Sequence, residues 1–68
     1  MIIKYRSPLG KETRIDTPTE VIADRLLVKW ANTRRTPGLH RWYIFRDGED
    51  ELPDIMEVEV IAQEGGLG

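Results

Sequence analysis

Residues 2–22 read IIKYRSPLGKETRIDTPTEVI and contain the signals that decide the fold. Two short segments flank a turn in which Pro8 fixes φ and Gly10 supplies a positive φ. This arrangement predicts a β-hairpin with strands at residues 2–6 and 12–17. Side-chain alternation places the following residues on its inward face: Ile3, Tyr5, Thr13, Ile15 and Thr17.

The end of this stretch predicts the start of a helix. Thr17 suits the N-cap, Pro18 the first helical position, and Glu20 the third position of a capping box. The helix is expected to end at Asn32 and to pack an apolar arc on the hairpin. The arc comprises Ile22, Ala23, Leu26, Leu27 and Trp30.

Two more strands are predicted after the helix. Residues 39–46 are rich in aromatic and β-branched side chains and precede the turn signal at residues 47–48. Residues 56–62 alternate in polarity and follow an acidic linker at residues 49–54, which predicts a half-buried strand.

The third strand has two apolar faces, and only one of them can face the core. We expect Tyr43 and Phe45 to be the core residues. Trp42 and Ile44 then form an exposed apolar patch, and such patches usually bind a partner. The alternative is that another strand, the helix or a second copy covers them.

The order of these elements predicts an α+β fold: a mixed four-stranded sheet with one helix packed across it (ββαββ). A right-handed crossover through the helix would place the first and last strands side by side and parallel at the centre of the sheet. A chain of 68 residues supports a single core, so we expect one domain over residues 1–62. Residues 63–68 are expected to form a flexible tail.

Composition narrows the chemistry. The chain has no cysteine, which excludes disulfides, thiolate metal sites and a cysteine nucleophile. His40 is the only histidine, and no carboxylate pair has a recognisable catalytic spacing. We therefore expect no enzymatic activity, no metal and no cofactor. The apolar runs are too short to span a bilayer, so we expect a cytoplasmic protein without a membrane partner.

Charge is distributed unevenly along the chain. Residues 1–46 hold all ten Lys and Arg residues against four acidic residues, whereas residues 47–68 hold eight acidic residues and no base. Such asymmetry suits a nucleic-acid surface, adjacent strands that pair opposite charges, or contact with two protein partners. We favour pairing within the fold over a phosphate-binding patch with stacking aromatics, because pairing needs no ligand.

Over essentially its whole length, the chain resembles the ubiquitin-like proteins. The features that carry the resemblance follow one another along the chain. They are Leu9-Gly10-Lys11 at a hairpin turn, a capped helix, Ile44-Phe45 in the third strand, a last strand, and Gly65-Gly66 beyond it. It implies the β-grasp fold and a protein modifier that is conjugated through an isopeptide bond. The short acidic linker and a tail without basic residues are more similar to the ubiquitin-like proteins of bacteria.

The resemblance also implies a protein-binding patch. The exposed patch of the family maps to Leu9, Ile44 and Val60, and Trp42 and His40 border it.

The chemistry implied by the resemblance lies at the tail. The conjugated carboxylate maps to Gly66, preceded by Gly65, and a protease would remove the extension that begins at Leu67. The implied partners are an E1-like activating enzyme, an E2-like conjugating enzyme, a deubiquitinase-like protease of the JAB type, and target proteins.

Two other functions are open. Sulfur carriers of the ThiS and MoaD kind share the β-grasp fold and load a Gly-Gly end as a thiocarboxylate, but they normally end at the second glycine. Residues 5–11 and Arg14 are similar to the hairpin of methyl-CpG-binding domains, which implies a small DNA-binding module. The acidic final third of the chain opposes that last alternative, because it would repel a phosphate backbone.

Overall fold

The computed structural model describes residues 1–62, which form four strands and one helix. The elements are β1 (Ile2–Arg6), β2 (Glu12–Asp16), α1 (Glu20–Asn32), β3 (Gly38–Phe45) and β4 (Asp54–Val60). The predicted hairpin, α+β class and order of elements are confirmed. The bounds of the last two strands lie one or two residues earlier than predicted.

The strands form one antiparallel sheet in the order β2-β1-β3-β4. The expectation of a mixed sheet with parallel first and last strands at its centre is therefore wrong. β3 lies beside β1, and β4 lies at the edge. The physical reason is composition: β3 offers an apolar face to β1, whereas the alternating acidic side chains of β4 suit an edge in contact with solvent.

The faces of β3 are the reverse of those predicted. Ile44 lies opposite Ile3 and Trp42 lies opposite Tyr5 in the register of the sheet, so both share the inner face with those two residues. The neighbouring Tyr43 is left on the outer face. Alternation within one strand defines two faces, but the partners on the adjacent strand decide which face is buried.

The core lies between this inner face and α1. Its buried members are Ile3, Tyr5, Ala23, Leu27, Trp42 and Ile44. The ring of Tyr5 lies at its centre, with its centroid 5.0 Å from that of Trp30 and 5.1 Å from that of Trp42. Full burial of an aliphatic side chain such as Ile3 or Leu27 contributes roughly 1.5–3 kcal/mol to stability.

α1 begins two residues later than predicted. Thr19 is the N-cap, and its hydroxyl oxygen accepts the backbone N–H of Ile22 at 3.2 Å. Thr17 is buried instead, and its hydroxyl donates to the carbonyl of Met1 at 3.3 Å. Two threonines flank one proline here, so the sequence offers two caps. Within residues 1–62, no helix has the length and apolar character needed to cross a membrane.

Candidate functional site

The structure buries most of the predicted protein-binding patch. Ile44 is 6% exposed, His40 is 1% exposed and Trp42 is fully buried, so the expectation that they form a surface is wrong. Leu9 is 88% exposed in the hairpin loop. Val60 is half-buried at the end of β4. The reason is the register described above, which turns this face of β3 toward α1.

His40 has a structural role. Its Nε2 donates to the carbonyl of Thr36 at 2.7 Å, because a carbonyl can only accept, and its Nδ1 accepts from the hydroxyl of Tyr5 at 2.7 Å. Both ring nitrogens are therefore occupied. In the described part of the chain, no group of three or more His, Asp or Glu side chains is placed to hold a metal ion.

Opposite charges pair across the sheet and its flanking loops, as expected from the charge distribution. The pairs include Lys4–Glu49, Arg6–Glu12, Arg14–Glu49, Arg41–Glu57 and Arg46–Asp54. Arg41 donates to Glu57 at 2.7 Å. Hydrogen bonds to Tyr43 and to Glu57 raise the pKa of the Arg41 guanidinium above its ordinary value. Most charges on the sheet and its flanking loops are therefore paired with an opposite charge.

Four cations at one end of the molecule lie outside these pairs; we call this region the basic end. They are Lys11 in the hairpin loop, Lys29 in the last turn of α1, and Arg34 and Arg35 in the loop that follows. None of the four lies within 4.0 Å of a carboxylate of residues 1–62. The guanidinium of Arg34 lies 5.7 Å from the centroid of the Tyr5 ring.

An apolar groove of about 540 Å³, here called the end groove, opens between the hairpin loop and the start of β3 at the basic end. Its lining includes Pro8, Leu9, Pro37 and Leu39, with Arg6 and Arg41 beside them. A second groove, of about 370 Å³, adjoins it at Pro37 and is lined by Arg34, Arg35 and Ile61 among others.

Gly38 allows the two walls of the end groove to meet. Its φ is +123°, and a Cβ on this residue would lie 2.6 Å from the Cβ of Pro8. Only glycine fits both the backbone angle and the contact. The hairpin loop and the start of β3 are thereby held together.

The opposite end of the molecule holds the loop between β3 and β4, here called the acidic tip (residues 47–53). Asp47, Asp50 and Glu51 have no basic side chain within 4.0 Å among residues 1–62. Leu52 is 96% exposed among them. The sequence pattern predicts only a linker here, although an exposed apolar residue inside an acidic run can mark a contact surface.

The residues predicted to carry the conjugation chemistry, Gly65, Gly66 and Leu67, lie outside the described residues. The same holds for the whole of the predicted tail. The structure shows where that segment starts: β4 ends at Val60 on the edge of the sheet, and Ile61 is 78% exposed.

Comparison with known proteins assigns no family. The chain matches no protein-family model, and neither the curated proteins nor the solved structures gave a significant match. The chain's own residues and geometry therefore form the basis of the functional proposal.

Proposed function

We propose that this chain is a ubiquitin-like protein modifier of the β-grasp type, conjugated to amines of target proteins through Gly66. The observation that supports it best is the position of β4. This strand lies at the edge of the sheet, so one side of its backbone has no strand partner within residues 1–62. Gly65 and Gly66 follow it in sequence. An enzyme that adds its own strand to β4 would bind the strand and the residues after it as one extended segment.

The proposed chemistry takes place at the carbonyl carbon of Gly66. A protease hydrolyses the Gly66–Leu67 peptide bond, and the new carboxylate attacks the α-phosphorus of ATP, which releases pyrophosphate and forms an acyl-adenylate. A cysteine thiol of the activating enzyme then displaces AMP, and a lysine amine displaces the thiol to form the isopeptide bond. Glycine suits each step because no Cβ crowds the reacting carbonyl.

The described domain fits a passive role in this scheme. Its histidine is bonded on both ring nitrogens, and Leu9 is the one fully exposed residue of the patch that the resemblance implied. The strand order differs from the one predicted from the order of the elements. The support for this role comes from the edge position of β4 and from the two glycines after it, and not from parallel central strands.

The proposal is tested by searching for conjugates in the native host. The full chain, with an affinity tag at its N-terminus, is recovered under denaturing conditions and digested with a protease that cleaves after glutamate. Because Glu64 precedes Gly65, each modified lysine should retain a Gly-Gly remnant detectable by mass spectrometry. We expect Gly-Gly-lysine peptides from the wild type.

Two variants serve as controls in this experiment. Gly66→Ala should yield neither Gly-Gly-lysine nor Gly-Ala-lysine peptides, whereas Leu67→Ala should yield the same adducts as the wild type. Wild-type chain without any adduct, in cells where the tagged protein accumulates, contradicts the proposal. A chain that ends at Gly66 and has exchanged one carboxylate oxygen for sulfur, with no protein adducts, would instead identify a sulfur carrier.

A further inference from the structure

We infer that copies of this chain associate head to tail, with the acidic tip of one copy seated on the basic end of the next. The contact uses none of the tail residues on which the function proposed above depends. The inference depends on the placement of the two ends, on their charges, and on the shapes of the end groove and of the acidic tip.

The two ends lie at opposite edges of the molecule. In the register of β1 and β3, Arg6 lies opposite Arg41 near the end groove, and Ile2 lies opposite Phe45 near the acidic tip. β3 has eight residues, which makes it roughly 25 Å long. The two ends of one copy therefore cannot contact each other, but each end can contact the opposite end of another copy.

The charges of the two ends are complementary. Within residues 1–62, neither Lys11, Arg34 and Arg35 at the basic end nor Asp50 and Glu51 at the acidic tip form an ion pair. Two carboxylates near the end groove are already used, since Glu12 pairs with Arg6 and Glu57 pairs with Arg41. Among the described residues, Glu59, opposite Leu39 on the adjacent strand, is the remaining carboxylate near the groove. The net attraction at this end is therefore toward anionic groups.

The shapes also match. Leu52 is 96% exposed at the acidic tip, and the end groove offers an apolar floor of prolines and leucines between arginines. An apolar anchor in a groove with opposite charge beside it, supplied here by Lys11, Arg34 and Arg35, is an arrangement that concentrates binding energy in protein interfaces. Leu52 is thus the expected anchor, and the acidic side chains beside it would contact the basic end.

Such a contact joins different surfaces on the two copies, so it does not close on itself at two copies. Head-to-tail contacts of this type give rings or open chains. The patch is small and partly ionic, so the association should be weak and should decrease with salt.

The test is sedimentation equilibrium of the full chain over a range of concentrations and ionic strengths. We expect the average mass of the wild type to rise with concentration beyond that of a dimer at low ionic strength, and to return to the monomer value at high salt. Leu52→Ser should weaken association by at least about tenfold. Val28→Ser, at an exposed position on α1 that belongs neither to the lining of the end groove nor to the acidic tip, should leave it unchanged.

A charge exchange makes the test specific for head-to-tail geometry. The variants Lys11→Glu/Arg35→Glu and Asp50→Lys/Glu51→Lys should each be monomeric alone, because each has lost one of the two ends. Their equimolar mixture should associate again, because the intact acidic tip of one variant can meet the intact basic end of the other, and the two reversed ends also carry opposite charges.

Three results would overturn the inference. A wild-type chain that stays monomeric at low ionic strength would do so, as would a dimer that neither double variant weakens. A chain that stays monomeric but retards duplex DNA, with the loss of that binding in Lys11→Glu/Arg35→Glu, would assign the basic end to nucleic acid instead.

Discussion

At the scale of single residues, Tyr5 connects the packing of the core to its polar interior. Its ring contacts Trp30 and Trp42, while its hydroxyl donates to His40, which in turn donates to the backbone of the loop after α1. Trp42 lies beside this chain of hydrogen bonds, and its indole N–H is buried without a partner among residues 1–62. Trp42 therefore occupies its position because of its volume, and His40 because of its hydrogen bonds.

The hydrogen bond between Tyr5 and His40 can be tested by removing the Tyr5 hydroxyl oxygen. Tyr5→Phe keeps the ring but leaves Nδ1 of the buried His40 without a donor, so we expect a loss of about 1–3 kcal/mol in the free energy of unfolding. Urea unfolding followed by tryptophan fluorescence measures it. Tyr43→Phe, on the outer face, is the matched control. An equal and small effect of both changes would contradict the bond.

Ile44 gives a second test at this scale, because the resemblance and the structure place it on opposite faces. The structure buries it against Ile3, so Ile44→Ala should cost about 2–5 kcal/mol, the usual range for a core truncation. Leu9→Ala, at an exposed loop position, should change stability by less than about 0.5 kcal/mol. A folded Ile44→Ala variant with unchanged urea midpoint would mean that β3 presents its other face to α1.

At the scale of elements, local patterns predicted each strand and the helix, but not how the strands are arranged. The hairpin of residues 2–17 follows from turn chemistry and alternation, which act over a few residues. The position of β4 depends on competition between strands for the place beside β1, and no short-range signal encodes that competition. The same holds for the buried face of β3, where both faces are apolar and the choice belongs to its neighbours.

The helix start is testable because two threonines compete for it. Thr19→Ala removes the hydroxyl that accepts the N–H of Ile22, and we expect a loss of about 1 kcal/mol, the common cost of a lost N-cap. Thr36→Ala, at an exposed threonine outside the helix, should be neutral. The urea midpoints of the two variants, each compared with that of the wild type, measure these effects. Equal midpoints for Thr19→Ala and the wild type would show that α1 begins elsewhere.

The contact between the hairpin loop and β3 is testable with two glycines. Gly38 and Gly48 both have positive φ, but only at Gly38 would a Cβ meet another residue, 2.6 Å from the Cβ of Pro8. Gly38→Ala should therefore destabilise the domain more than Gly48→Ala, by about 1–3 kcal/mol, the usual cost of overpacking. Thermal unfolding of both variants gives the difference. Equal costs would mean that Pro8 does not lie against Gly38.

At the scale of the whole molecule, the charge asymmetry of the sequence becomes a polarity between two ends. Much of the charge is paired across the sheet, where Arg46 and basic side chains of the first three strands contact carboxylates of β4, the hairpin and the acidic tip. These exposed pairs contribute little to stability. The charges left over separate along the length of β3, and their effect is on association rather than on folding. The sequence composition indicated the imbalance, but only the register of the strands shows that its two parts lie apart.

The predicted domain boundary at residue 62 divides the chain into two parts. Residues 1–62 should determine the stability, and residues 63–68 should carry the proposed chemistry. Within residues 1–62, the last residues packed against the core are Met56 and Val58. Deletion of residues 63–68 should therefore change the free energy of unfolding by less than about 0.5 kcal/mol, while abolishing conjugation completely. Deletion of residues 59–68 is the control, because it also removes the part of β4 that pairs with Gly38 and Leu39, and it should lower the urea midpoint. If the shorter deletion destabilises the domain as much as the longer one, residues 63–68 belong to the fold and the boundary at residue 62 is wrong.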